Sequence, residues 1–249
     1  SLIKGLGDPV VKNIKIETEK LEEGSSIKIV HLSDLHIDSV FPVKKLERII
    51  QIINSQNADV IVITGDLLDA SICDYTDFCG LLNEMSAKYG AYAVTGNHEY
   101  YVGVDVFLDV AERSGIKVIR NETVAVDGKF QLAGVDDYAG RSRKPDIENL
   151  GKTLEGIDTG KYTVLLAHRP LFFKEAVEMG VDLQLSGHTH LGQLPPFDLF
   201  VILLNEYPYG LYKLGESYIY TTSGTSTWGP PIRLFSRSEI PIFEIIGAK

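Results

Sequence analysis

The chain has 249 residues, 44% apolar and 23% charged, so it can bury a substantial core and is neither disordered nor fibrous. Its 34 acidic against 24 basic residues give a formal net charge of -10, which argues against wrapping nucleic acid, because a phosphate backbone is bound through clustered cations. No apolar run reaches the roughly 18 residues of a membrane span, the longest (199–204) being strand-sized, and a soluble chain is expected. Ser1 in place of Met suits a processed or engineered chain, with residues 1–24 as a lead-in after a removed anchor or signal.

Residues 27–33 read as a buried strand, apolar through Ile27, Ile29, Val30 and Leu32 before a polar stop. Residues 42–56 read as an amphipathic helix: Val43, Leu46, Ile49, Ile50 and Ile53 recur at three and four positions, and Pro42 suits a first turn. A strand over 60–64 and a helix over 75–88 follow, then a strand over 91–95 and a helix over 105–113. Short strands are expected at 118–119, 124–126 and 130–135, with Asp127-Gly128 marking a hairpin. Strand 163–167 leads through Arg169-Pro170 into a helix over 171–178; strands near 182–186, 218–222 and 242–246 complete the chain. No repeat or linker interrupts this alternation, so one domain over 1–249 with a layered α/β architecture is expected. Cys73 and Cys79 suit neither a zinc knuckle nor a redox pair and are expected as free or buried thiols, a single disulfide being the alternative.

Polar residues of one kind collect at the ends of these strands. Strand 27–32 runs into Ser33-Asp34-Leu35-His36, strand 60–64 into Gly65-Asp66-Leu67-Leu68-Asp69, and strand 91–95 into Gly96-Asn97-His98-Glu99. Strand 163–167 runs into His168, and strand 183–186 into Gly187-His188-Thr189-His190. The carboxyl ends of strands form the usual binding crevice of an open α/β sheet. Five of the six histidines lie at these ends, and only His31 sits inside a strand, where it reads as a core or supporting residue. In extended chain, residues i and i+2 project to the same side about 6.5 to 7 Å apart, so Asp34 with His36, and His188 with His190, can converge on ions by folding inward. Glycines before Asp66, Asn97 and His188 permit close backbone approach. Imidazole, carboxylate and amide donors without thiolate suit two divalent ions of the Mn, Fe or Zn type.

Asp34-x-His36, Gly65-Asp66-x-x-Asp69, Gly96-Asn97-His98-Glu99, His168 and Gly187-His188-x-His190, in this order, resemble the calcineurin-like metallophosphoesterase superfamily. The resemblance implies a four-layer αββα sandwich of two mixed β-sheets flanked by helices. It implies that Asp34, His36 and His190 hold one metal, Asn97, His168 and His188 the other, and that Asp66 bridges them. It also implies that His98 protonates the leaving oxygen after attack by a bridging hydroxide. Asp69 is expected as a hydrogen-bonding support, and Glu99 either holds the His98 ring or is solvated. Two such ions outweigh Asp34, Asp66 and the hydroxide by one positive charge, which suits a phosphate oxygen. The implied activity is a phosphodiesterase or phosphatase cleaving a phosphoester or pyrophosphate. Gly192-Gln193, residues 207–212 and the run 224–231 are similar to a bacterial branch of small phosphohydrolases commonly made with a membrane anchor or export signal. Membrane association and a lipid-linked substrate are therefore expected alternatives to a freely diffusing one; a nuclease or a non-catalytic scaffold of the same fold are competing readings.

Arg141-Ser142-Arg143-Lys144 reads as a solvated loop or, alternatively, as an anion contact near the site mouth. Residues 194–211 carry Phe197, Phe200, Val201, Ile202, Tyr207 and Tyr209 and are expected in the core, with a membrane-facing or lipid-binding cap as the alternative. Trp228 and Arg233 are expected at the rim.

Overall fold

The computed structural model describes residues 7–69, 75–140, 144–234 and 236–248. Two six-stranded mixed sheets organise it. The first runs in the order β1 (Val10–Thr18), β12 (Glu239–Gly247), β2 (Ser26–Leu32), β3 (Val60–Ile63), β4 (Ala91–Ala93) and β5 (Ile116–Val118), with β2 to β5 mutually parallel. The second runs β10 (Gly210–Leu214), β11 (Ser217–Thr221), β9 (Leu183–Ser186), β8 (Tyr162–Leu166), β7 (Phe130–Gly134) and β6 (Glu122–Val126), with β7, β8, β9 and β11 parallel. Parallel strands end at one edge, so each sheet delivers its motif loops to a single side.

The period-2 alternation of side chains builds the layers. Ile27 and Ile29 of β2 and Val60 and Val62 of β3 pack with Leu132, Val164, Leu166 and Leu185 of the second sheet. Val30, Leu32, Ile61 and Ile63 point the other way, into a cluster with Leu46, Ile49, Ile50 and Ile53 of α1 (Val43–Asn54), Leu82 of α2 (Thr76–Leu82) and Phe107 and Val110 of α4 (Val104–Arg113). Outside the second sheet, Leu165 and Ala167 pack with Leu150 and Leu154 of α5 (Ile147–Leu154) and Ala176 of α6 (Phe173–Glu178). These are the four layers expected from the resemblance. Both faces of β3 are buried, so hydrophobicity alone leaves its register open. The polar ends close that choice: the Asp59 carboxylate accepts the Lys28 N–H at 2.7 Å, and the Thr64 N–H donates to the Leu32 carbonyl at 2.9 Å. Register in turn decides which residue leaves the strand as Asp66.

Several elements differ from expectation. Residues 10–18 form β1, paired along its length with β12. The helix after β3 stops at Leu82, because Ala87 bridges Ala58 and draws the chain back to the sheet. The helix after β8 starts only at Phe173, since Phe172 is left-handed with φ 58°. Asp127 and Gly128 take φ 51° and 67°, and the Lys129 N–H donates to the Val126 carbonyl at 3.1 Å, forming the expected hairpin turn. The core expectation for residues 194–211 fails at α7 (Phe197–Leu204), where Phe197, Leu199, Phe200, Ile202, Leu203 and Leu204 are all exposed. The Gly192 turn lies against the backbone of Phe197 and Asp198 too closely for a side chain, so α7 stands on that turn and not on a sheet. Cys79 is buried, with no disulfide partner among the described residues, and Cys73 lies outside them. Among the described residues no helix is long and apolar enough to cross a membrane.

Candidate metal centre

The loops at the ends of β2, β3, β8 and β9, and α3 (Asn97–Val102) after β4, meet at one place. Their backbones are shaped for close approach. Asp34, His36, Asp66, His188 and His190 all take the left-handed region, with φ between 48° and 69°, a conformation that costs non-glycine residues about 1 to 3 kcal/mol each. A Cβ on Gly96 would collide with the Asp66 carboxylate, and one on Gly187 with Ser33 and Asp34, so both positions require glycine.

Among the described residues three overlapping groups of donors result: Asp34, His36 and His190; His36, Asp66 and His98; and Asp66, His168 and His188. In the first, His36 Nε2 lies 3.0 Å from His190 Nε2 and 3.9 Å from Asp34 Oδ1, and His190 Nε2 lies 3.3 Å from Asp34 Oδ1. In the third, His168 Nε2 lies 3.1 Å from His188 Nδ1, 3.1 Å from Asn97 Oδ1 and 3.2 Å from Asp66 Oδ2. Asp66 Oδ2 is also 3.8 Å from His36 Nε2, so this carboxylate stands between the two groups. Metal–ligand bonds of about 2.1 Å set neighbouring donor atoms about 3.0 to 3.4 Å apart, so the donor set fits divalent ions. His168 Nδ1 lies 2.8 Å from the Thr64 carbonyl and donates to it, which leaves Nε2 as the ligating nitrogen.

Electrostatics agree with that fit. Burial pulls His190 down to about 3, and burial together with His168 and Arg169 holds His188 well below the ordinary imidazole value, so both rings keep free lone pairs. Burial also opposes charging His168, but the carboxylates of Asp66, Asp34 and Asp137 outweigh it and raise its pKa to about 10. Burial would raise the Asp66 carboxyl, and His168 and His36 overcome this to hold it far below the usual range. The acidic groups therefore draw positive charge to this spot.

The supporting residues divide differently from expectation. Asp69 Oδ1 lies 2.6 Å from His98 Nδ1 and 3.4 Å from His36 Nδ1. The carboxylates of Asp69 and Asp66 outweigh the burial of His98 and raise its pKa. Glu99 is neither solvated nor the holder of His98. It is fully buried, and its carboxylate accepts the backbone N–H groups of Gly96, Asp66 and Leu67 at 2.6, 2.9 and 2.8 Å, fastening two motif loops together.

Trp228 is 55% exposed and stands edge-on to His98 at 6.4 Å. Arg233 is not a rim residue. It is fully buried, donating to the carbonyls of His190, Ser223 and Ser226, with Nη2 3.2 Å from His190 Nδ1. Inward-facing carbonyls of three turns give the guanidinium a cage in place of solvent. Arg141 and Arg143 lie outside the described residues. Sequence reasoning missed Arg169, whose Nη1 lies 2.6 Å from His188 Nε2 and whose Nη2 donates to Asn97 Oδ1 at 3.1 Å. Its position directly after His168 was the available signal.

A profile described as calcineurin-like phosphoesterase matches residues 27–192. An uncharacterized metallophosphoesterase of Helicobacter pylori is 36% identical over 98% of this chain, which spans 65% of that protein. A Danio rerio transmembrane protein with metallophosphoesterase domain is 36% identical over 96% of the chain and 58% of its own length. The chain thus spans about two thirds or less of these two relatives. Among solved structures, a putative 5'-nucleotidase from Staphylococcus aureus superposes with a TM-score of 0.55 at 14% identity, covering 90% of this chain and 55% of its own, a likeness of fold.

Proposed function

The chain belongs to the calcineurin-like phosphoesterase family, and from that premise we propose that it is a dinuclear metal-dependent phosphohydrolase cleaving a phosphoester or pyrophosphate bond. The observation that carries this reading is the convergence of seven donors from five separate chain segments, with Asp66 between two groups of three. Asp34, His36 and His190 would hold one ion, Asn97, His168 and His188 the other, and the nitrogen and oxygen donors favour Mn, Fe or Zn. Such a pair supplies an activated water near neutral pH and a clamp on phosphoryl oxygens. The chain contributes the rest. Asp69 engages His98 Nδ1 and leaves Nε2 to give a proton to the leaving oxygen. Glu99 keeps the Asp66 and Asn97 loops at fixed separation.

The reading extends to a substrate with an apolar portion, presented at or near a membrane. A cavity of about 400 Å³ lined by His188, His190, Leu194, Phe197, Trp228 and Pro230 opens beside the donors, and the exposed apolar residues of α7 continue from it. An apolar chain attached to the phosphoryl group is the occupant this continuity favours, because a six-residue apolar display on a helix otherwise loses free energy in water.

Metal analysis of the purified chain after equilibration with Mn, Fe or Zn, followed by hydrolysis of bis(p-nitrophenyl) phosphate, tests the proposal. Two equivalents with metal-dependent turnover are expected, and Asp66→Asn should lower both. Full double occupancy in Asp66→Asn, or turnover insensitive to chelation, overturns it.

A further inference from the structure

Besides the cavity at α7, a second cavity of about 370 Å³ is lined by Tyr100, Tyr101, Tyr138, Ala139 and Arg169. Among the described residues its lining offers three tyrosines and one arginine, in a chain of net charge -10. The guanidinium is built into place. The Asp137 carboxylate, itself buried, accepts Arg169 Nε at 2.7 Å through Oδ2 and the Ala139 N–H at 2.8 Å through Oδ1. The Tyr138 ring covers the guanidinium at 4.5 Å. Asp137 thus engages only Nε, and both terminal nitrogens face the donors Asn97 and His188. When His188 serves as a ligand through Nδ1, its Nε2 carries the hydrogen and no longer accepts from Arg169. One N–H of the arginine is then released for another oxygen.

The cavity also reaches the residue read as the acid. Tyr101, 68% exposed, stands edge-on to His98 with ring centroids 5.2 Å apart. An oxygen protonated by His98 would therefore carry its substituent toward the tyrosines, while a phosphoryl oxygen beside Asn97 meets Arg169. Guanidinium groups bind phosphoryl oxygens through paired donors, and tyrosine faces take flat rings.

Resting on the phosphohydrolase reading, we propose that Arg169 is a substrate-binding residue for a phosphoryl oxygen and that the tyrosine cavity receives a leaving group bearing a planar ring. Arg169 makes the charged contact, Tyr101 and Tyr138 supply the faces, and Asp137 fixes the direction of the cation. The cavity beside α7 then takes the other substituent, so the preferred substrate carries two groups on its phosphorus linkage.

The test is equilibrium binding of two phosphonates, whose C–P bond resists hydrolysis, to the Mn-loaded chain by calorimetry. Phenylphosphonate should bind roughly threefold to tenfold more tightly than methylphosphonate. Arg169→Ala should weaken both by about tenfold or more, with Arg169→Lys, which keeps the charge without the fork, in between. Tyr101→Ala should remove the preference for phenylphosphonate and leave methylphosphonate affinity within twofold. Equal affinities in the unmodified chain overturn the cavity assignment. An Arg169 variant that melts normally and binds methylphosphonate normally overturns the arginine assignment; if Arg169→Ala does not fold, Arg169→Lys decides. Turnover of bis(p-nitrophenyl) phosphate, measured in parallel, tests hydrolysis separately: its absence with Arg169-dependent phosphonate binding defeats the enzyme reading alone.

Discussion

His31 offers a stability measurement whose size follows from its surroundings. The ring is fully buried in β2; Nε2 lies 2.8 Å from Thr64 Oγ1, while Nδ1 has no partner among the described residues. Burial pulls its pKa down to about 3. In the unfolded chain the same ring has its ordinary value, about 6.5. The native ring is the weaker base, so its contribution is complete above about pH 6.5 and is lost as pH falls toward 3. Between pH 7.5 and pH 5 the unfolded chain takes up nearly one proton that the native state refuses, a loss of about 2 kcal/mol. Urea unfolding followed by circular dichroism, in chelating buffer at both pH values, measures it. His31→Gln keeps an amide facing Thr64 but cannot titrate. The unmodified chain should lose about 2 kcal/mol more than this variant over the interval. Parallel losses in the two proteins refute a neutral, dehydrated His31.

Two further outcomes bear on the site. His98→Ala should keep both metals and lose turnover by about 10²-fold or more, most severely for substrates with poor leaving groups, as metal analysis and steady-state rates would record; near-native rates with an alkyl leaving group would remove His98 from the acid's role. Replacing Leu203 and Leu204, 70% and 80% exposed, by Glu should leave bis(p-nitrophenyl) phosphate turnover unchanged and reduce hydrolysis of phospholipid-type esters dispersed in vesicles severalfold; equal rates on vesicles would detach α7 from substrate capture.

The motif loops were legible because their demands are local. A buried strand, a glycine where a side chain would collide, and a donor just past it are each written within a few residues, as in Gly187-His188. The layered α/β class was legible in the succession of strands and helices, but the four layers rested on the resemblance, because β3 and β8 are buried on both faces and show no alternation. Arg233 was not, because its cage is assembled from carbonyls of turns near 190, 223 and 226, and nothing beside it in sequence distinguishes it from a surface cation. Glu99 was misread because its partners at Asp66 and Leu67 are more than thirty positions away. The apolar run of α7 has no polar face, so composition could not say whether it was covered. Arg169 carries one local signal, its place directly after His168, but its partners Asn97, Asp137 and His188 come around it only in the fold.

The seven donors are shared between the sheets. Asp34, His36, Asp66 and Asn97 leave the first sheet, whereas His168, His188 and His190 leave the second. Any ion gripped by this set is consequently a clasp across the seam of the sandwich, opposing both the repulsion of its carboxylates and the strain in its left-handed turns. Melting of the protein should then track the free concentration of that ion. Starvation for metal would loosen the very edge at which the two halves meet, before it dismantled either sheet.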